Sequence, residues 1–394
     1  LSSDHKKQNQ PSLNLIRAVS AIAIVLFHYS YTFYEYGIPG KGPDFLRFVN
    51  ADWGGVFVAV FFMLSGAALI YNHPRFMPEK TGTDGSFLER FISGLKALAV
   101  FWKKRWLSLF PMFYVAWIIM YVINSRRVGT WYWGGPRKNF LFSFFGMDGY
   151  FMHLGQNYYC LGEWFLGGII FLYLLFPILQ WAWQHIRIAG SVILTFLYVF
   201  NLYRNAFSSA PDTNIFIVLI KYYNSHITIS DNMCLWTCMM NFWLGFALIT
   251  YVVPFLRKEG ADIKKRNIAA ALISVIVITV VALIEMPVPK IICCTISAVG
   301  FYVLFTAAAN LFPALAEAKC IKLISKYSYG IFLVHHVILY GIMALVKTVS
   351  FNRVTALIFF IPVFILIFVV GVLLHESVYR VQDLLSNLLY RKAG

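Results

Sequence analysis

Arg17 and His28 stand with ten residues between them in a run that is otherwise almost wholly apolar, Leu13-Asn-Leu-Ile-Arg17-Ala-Val-Ser-Ala-Ile-Ala-Ile-Val-Leu-Phe-His28. Eleven helical steps of about 100° return His28 to within roughly 20° of Arg17, about 16 Å further along the axis. One face of one membrane helix then carries a cation near its start and an imidazole near mid-bilayer. Ionisable groups are costly at that depth, so the pair reads as a site. A neutral imidazole can accept a proton in a transition state near neutral pH, which makes His28 a candidate general base.

The elements that hold this pair are membrane helices. Of 394 residues, 60% are hydrophobic and 13% charged, and the mean hydropathy is +0.69. A soluble chain of this size carries about twice that charge fraction. A span needs about 20 apolar residues. Ten such runs are predicted, at about 12–34, 53–72, 98–123, 161–183, 189–206, 232–256, 267–285, 290–312, 327–348 and 354–376. The apolar stretch 213–220 is too short to cross and reads as an interfacial piece. The fold class is therefore an all-α membrane protein of about ten transmembrane helices. Residues 1–394 are expected to form one integral-membrane domain, with tails at 1–11 and 377–394 and no loop long enough to fold alone. No internal repeat is visible, which speaks against a transporter of duplicated halves.

A cytoplasmic N-terminus puts about 22 of the 33 Lys and Arg on the inner side, in line with the positive-inside rule. An even number of spans then returns the C-terminus to the cytoplasm. The outer cluster Arg126, Arg127, Arg137 and Lys138 runs against the rule. The net charge of +16 lies in membrane-flanking loops, which suits anionic lipid headgroups rather than nucleic acid. The six cysteines (160, 234, 238, 293, 294 and 320) show no metal-ligand spacing beyond the single helical turn from Cys234 to Cys238. They read as small apolar residues, and no metal site is expected.

Further local patterns follow in order: Phe61-Phe-Met-Leu-Ser65-Gly66, Phe101-Trp-Lys-Lys-Arg105-Trp-Leu-Ser-Leu-Phe-Pro111, Glu163-Trp-Phe-Leu with Tyr173-Leu-Leu-Phe-Pro177, and Ile324-Ser-Lys-Tyr-Ser328-Tyr-Gly-Ile-Phe-Leu-Val-His335-His336. Together with the Arg17–His28 spacing, they resemble the acyltransferase-3 family, ten-helix membrane enzymes that acylate surface polysaccharides and other extracytoplasmic acceptors. The resemblance covers essentially the whole chain. It implies that Arg17 and His28 are the essential pair, with His28 as general base and Arg17 orienting the acyl donor or its pantetheine arm. It also implies that Arg105, with Lys103 and Lys104 beside it, contacts the donor's phosphates. Where the family has a second arginine three residues on, this chain has Ser108, which halves a bidentate clamp.

Ala59 stands where the family often has Asp, and Gly168, Ile169 and Ile170 where it often has Glu; Glu163 is a candidate for a similar polar role. Glu163, Trp164 and His335 are candidate substrate-binding residues. His336, on another face, is expected to make a structural hydrogen bond, and Ser328 to bond its own helix backbone. His375-Glu376 reads as an interfacial pair. The aromatic-rich loop 131–160 has the residue types that pack against a sugar ring, although Trp and Tyr also gather at every bilayer interface.

The expected activity is transfer of an acyl group, acetyl first, from cytoplasmic acyl-CoA to a hydroxyl of an extracytoplasmic sugar. No tightly bound cofactor is expected, and the setting implied is a bacterial cytoplasmic membrane. Succinyl transfer by the same site, a transporter or flippase of polysaccharide precursors, and a structural membrane subunit are the alternatives.

Overall fold

The computed structural model describes residues 11–40, 53–73, 87–152, 155–162, 164–204, 211–212, 215–226 and 233–392. The chain opens with α1 (Pro11–Glu35), α2 (Trp53–Asn72) and α3 (Phe87–Val128), followed by the single-turn α4 (Phe140–Phe144). Next come α5 (Trp164–His185), α6 (Arg187–Tyr203), α7 (Ile215–His226) and α8 (Leu235–Ala247). A π-helical segment, Leu248–Val252, joins α8 to α9 (Val253–Arg257). The remainder is α10 (Ile263–Leu283), α11 (Lys290–Leu311), the short α12 (Pro313–Ala316), α13 (Lys319–Val346) and α14 (Arg353–Lys392).

Nine helices among the described residues are long and apolar enough to cross a membrane. The predicted span 189–206 corresponds to α6, whose 17 residues reach only about 25 Å, short of a hydrocarbon core of about 30 Å. Of the predicted interfacial piece at 213–220, residues 215–220 open α7, and 213 and 214 lie outside the described residues. Other boundaries also differ. Helix α3 begins at Phe87, inside the predicted loop 73–97, and α13 begins at Lys319. Helix α14 runs on to Lys392, so most of the predicted tail 377–394 is its continuation. Charged residues such as Lys96, Arg380 and Asp383 lower the hydropathy of these extensions without breaking the helix.

Helix α2 is apolar all round and mostly buried, packing on α1, α8 and α11, with a half-buried stripe at Val58, Phe61, Ser65 and Ala68. Its contact with α8 is reciprocal. A Cβ on Gly66 would lie 2.1 Å from the Phe242 carbonyl oxygen, and one on Gly245 would lie 2.0 Å from that of Met63. Such close backbone approach is how membrane helices gain packing where the apolar effect between them is weak. The glycine of the Phe-Phe-Met-Leu-Ser-Gly pattern therefore has a packing role.

A small buried cluster joins α1, α11, α12 and α13, and two larger ones fill the rest of the interior. One joins α2, α5, α6, α8 and α11; the other joins α3, α13 and α14. Helix α1 lies between them, giving Leu13, Ile16 and Ile24 to the first and Val25, Tyr29 and Phe33 to the second. Helices α10 and α14 expose rows of large aliphatic residues, including Leu272, Ile273 and Ile276 and Ile358, Ile361 and Ile365, as lipid-facing helices do.

Candidate active site

Between α1, α2, α3, α5 and α13 lies a cavity of about 240 Å³. Its wall takes residues from every one of the sequence patterns: Arg17 and His28, Ser65, Ser108, Tyr173 and His335. Ser108 is exposed as well as cavity-lining, so the cavity opens on that side.

At the N-terminal end of α1, Arg17 is tied to α13. Its Nη1 donates to Ser325 Oγ at 3.5 Å, and Ser325 Oγ donates to Asn14 Oδ1 at 3.1 Å. Ser328 bonds the carbonyl of Ser325 at 3.0 Å, as expected for a serine on its own helix.

At the other end, His28 meets α13. Its ring centroid lies 5.1 Å from that of His335 and 4.1 Å from that of His336, and those two rings are 4.4 Å apart. His335 is 1% exposed. Its Nδ1 stands 2.6 Å from the Phe332 carbonyl oxygen. A carbonyl can only accept, so Nδ1 carries the proton and Nε2 is left as a lone pair. His335 Nε2 and His336 Nδ1 are both buried without a hydrogen-bond partner. The hydrogen bond expected of His336 is not made by its Nδ1. His336 lines the cavity because α1 sits over the groove between the two histidine faces of α13. Gly162, at φ +75°, brings the chain before α5 against the His336 ring, and a Cβ there would lie 2.4 Å from Cδ2.

Trp164, the first residue of α5, lines the cavity, while Glu163 lies outside the described residues. Arg105 is not on this cavity. It lines a second, strongly apolar one of about 450 Å³ between α3, α4 and α5, which shares Leu109 and Tyr173 with the first. Its guanidinium carbon is 5.6 Å from the Phe101 ring centroid and 5.9 Å from that of Tyr173. Trp102 Nε1 donates to the Tyr173 carbonyl at 3.2 Å, fixing α3 to α5 at this point. Ser108 Oγ bonds the Arg105 carbonyl at 2.8 Å. Lys103 and Lys104 are exposed and line neither cavity. Tyr173 is the site residue that spacing alone did not single out. Its signal was only its membership of the Tyr-Leu-Leu-Phe-Pro pattern.

The aromatic loop between α3 and α5 is largely consumed in its own packing. Tyr158 is fully buried, stacks on Phe140 at 4.0 Å and donates to the Gly135 carbonyl at 2.6 Å. Trp117 Nε1 of α3 donates to the Tyr158 carbonyl at 3.1 Å. Asp148 is buried too, accepting from Ser143 Oγ at 2.6 Å, and burial raises its carboxyl from an ordinary 3.8 to about 6. Trp131, Tyr132, Phe144 and Phe145 remain about half exposed, Tyr132 beneath Arg137 at 4.4 Å. His153 lies outside the described residues. Away from the cavity, Glu376 accepts from Tyr327 at 2.6 Å and Lys326 at 2.9 Å, so the expected interfacial pair is part of a larger polar group.

No curated protein and no solved structure matches the chain significantly. The family model for the Acyl_transf_3 acyltransferase domain matches residues 10–376, nearly the full length. The stretch matched takes in all the helices whose residues meet at the cavity, and the chain belongs to the acyltransferase-3 family of membrane acyltransferases.

Proposed function

We propose that this acyltransferase moves an acyl group, acetyl first, from cytoplasmic acyl-CoA to a hydroxyl of an extracytoplasmic sugar, with His28 as general base. The observation that carries the reading is the convergence of Arg17, His28, Ser108, Tyr173 and His335 on one cavity, with exposed Ser108 in its wall bonded to the Arg105 carbonyl. The donor's phosphates lie against Arg105, assisted by Lys103 and Lys104, and its pantetheine arm runs past Ser108 toward Arg17. The thioester reaches His28. The acceptor hydroxyl approaches from the opposite side, past Trp164, with Trp131 and Tyr132 among the exposed aromatic faces.

His28 takes the hydroxyl proton as the oxygen attacks the thioester carbonyl. The carbon–sulfur bond breaks, and the proton passes from His28 to the departing thiolate, which leaves as free CoA. Direct transfer needs no protein nucleophile, and no cysteine or serine with an adjacent base lines the cavity among the described residues.

The test begins with the full chain in lipid nanodiscs and the thermal midpoint in acetyl-CoA, succinyl-CoA and free CoA. A ligand that binds only the native state raises the midpoint by an amount that grows with the logarithm of its concentration over Kd. A shift that is largest for acetyl-CoA supports the reading, and one largest for succinyl-CoA replaces acetyl with succinyl. Release of free thiol dependent on a polysaccharide acceptor then tests the reaction. Substrate flux without thiol release would replace acyl transfer with transport.

A further inference from the structure

The histidine end of the cavity holds more than a base needs. His28, His335 and His336 each offer one ring nitrogen, and these atoms all lie within 4.8 Å of one another. Two of the three rings are held by contacts that set their direction. The Nδ1–H of His335 is committed to the Phe332 carbonyl, which turns the Nε2 lone pair away from that bond. The ring of His336 rests on the backbone at Gly162. A histidine oriented through its other nitrogen by a backbone carbonyl is the usual support of a metal ligand. The buried and unpartnered nitrogens are those such a support would present: His335 Nε2 and His336 Nδ1.

We propose that His28, His335 and His336 form a binding site for one zinc-like divalent ion, and that the bound ion and the proton-accepting role of His28 exclude each other. Three neutral imidazoles suit a borderline ion such as Zn²⁺ or Co²⁺, and no described cavity residue supplies the carboxylates that Mg²⁺ or Ca²⁺ favour. Tetrahedral Zn–N bonds of about 2.05 Å place ligand nitrogens about 3.3 Å apart, so the widest pair closes by roughly 0.8 Å at each ring. The cavity lies beside all three rings and leaves the fourth position to water or an anion, which offsets the cost of a dication at this depth. Once the His28 lone pair is on the ion, it cannot take a proton. The ion then holds the enzyme inactive until it is removed. The binding half stands by itself; the exclusion half rests on the reading of His28 as the base.

The experiment uses the full chain in nanodiscs, stripped with a chelator and titrated with Zn²⁺ alone, with bound metal counted by elemental analysis. The expected result is one equivalent per chain, an intense visible spectrum with Co²⁺ in place of Zn²⁺, and affinity weakened at least about 100-fold in His336→Gln, more than loss of a supporting partner costs. His335→Gln tests the same point at the more buried ring, and His375→Gln, outside the cluster, keeps wild-type affinity. Each variant's thermal midpoint separates loss of the site from loss of the fold. No bound equivalent, or equal affinity in wild type and a folded His336→Gln, overturns the site. Thiol release is then followed against Zn²⁺. Inhibition over the binding range, reversed by chelator, is expected, and unchanged or faster turnover with the ion bound overturns the exclusion. Metal-free protein that binds one equivalent but transfers no acyl group would overturn the acyl-transfer reading and leave the ion site standing.

Discussion

The interfaces of α2 with α8 and of α1 with α13 are similar in extent and opposite in kind. The first is closed: Gly66 and Gly245 let the backbones touch, and Phe242 and Phe246 are fully buried along it. The second is polar at both ends, with Asn14, Arg17 and Ser325 at one and three histidines at the other, and a cavity beside it. Close packing leaves no room for substrate, and polar groups in a bilayer need partners. The molecule therefore concentrates its rigidity in one interface and its chemistry in the other.

Breaking the closed interface should have the largest effect. In Gly66→Leu the new side chain meets backbone rather than a movable side-chain tip, so the cost exceeds the about 1–3 kcal/mol of ordinary overpacking. No monodisperse protein is expected on size exclusion, and a variant that melts like wild type would refute the account of the α2–α8 contact. The open interface should respond in the reverse way. His28→Gln should lower acyl transfer by about 10²- to 10⁴-fold, the range for loss of a general base, with the melting point little changed.

The loop between α3 and α5 sharpens the comparison, since it is packed like the closed interface yet buries a carboxyl. With Asp148 near 6 in the fold and about 3.8 unfolded, the native state binds the extra proton between those values. Stability should therefore fall as pH rises from about 4 to about 6 and level off above, by at most about 3 kcal/mol. Melting of Asp148→Asn should lack that slope and be the more stable at pH 7; a slope retained in the variant would assign it to another group. The smallest effect is expected at the mouth. Arg105→Ala should weaken acetyl-CoA about tenfold, as loss of one charge-assisted contact does, read as a smaller thermal shift at fixed ligand concentration.

Helices were legible in the sequence because length and apolarity alone make a span. Their ends were not: α3 and α14 continue through charged residues that a hydropathy pattern takes for loop. Helix α6 was legible as apolar but not as short of the bilayer thickness. At the site, Arg17 and His28 stood out through their spacing on one helix, whereas Tyr173 and His336 depend on how helices meet. Adjacent residues on a helix point about 100° apart, so sequence alone gives His335 and His336 different neighbours. Only the placement of α1 over both faces brings them to one ring.

Helix α1 contributes side chains to all three buried clusters, so it cannot shift without loosening each of them. The residues it carries are thus on the part of the chain with least freedom to adapt. Any widening that lets a substrate in has to come from the partners, from α3 or α5 at the mouth and the loop near Gly162. Amide hydrogens around Ala21 to Val25 should accordingly be among the last to exchange with solvent, released only when the whole fold opens.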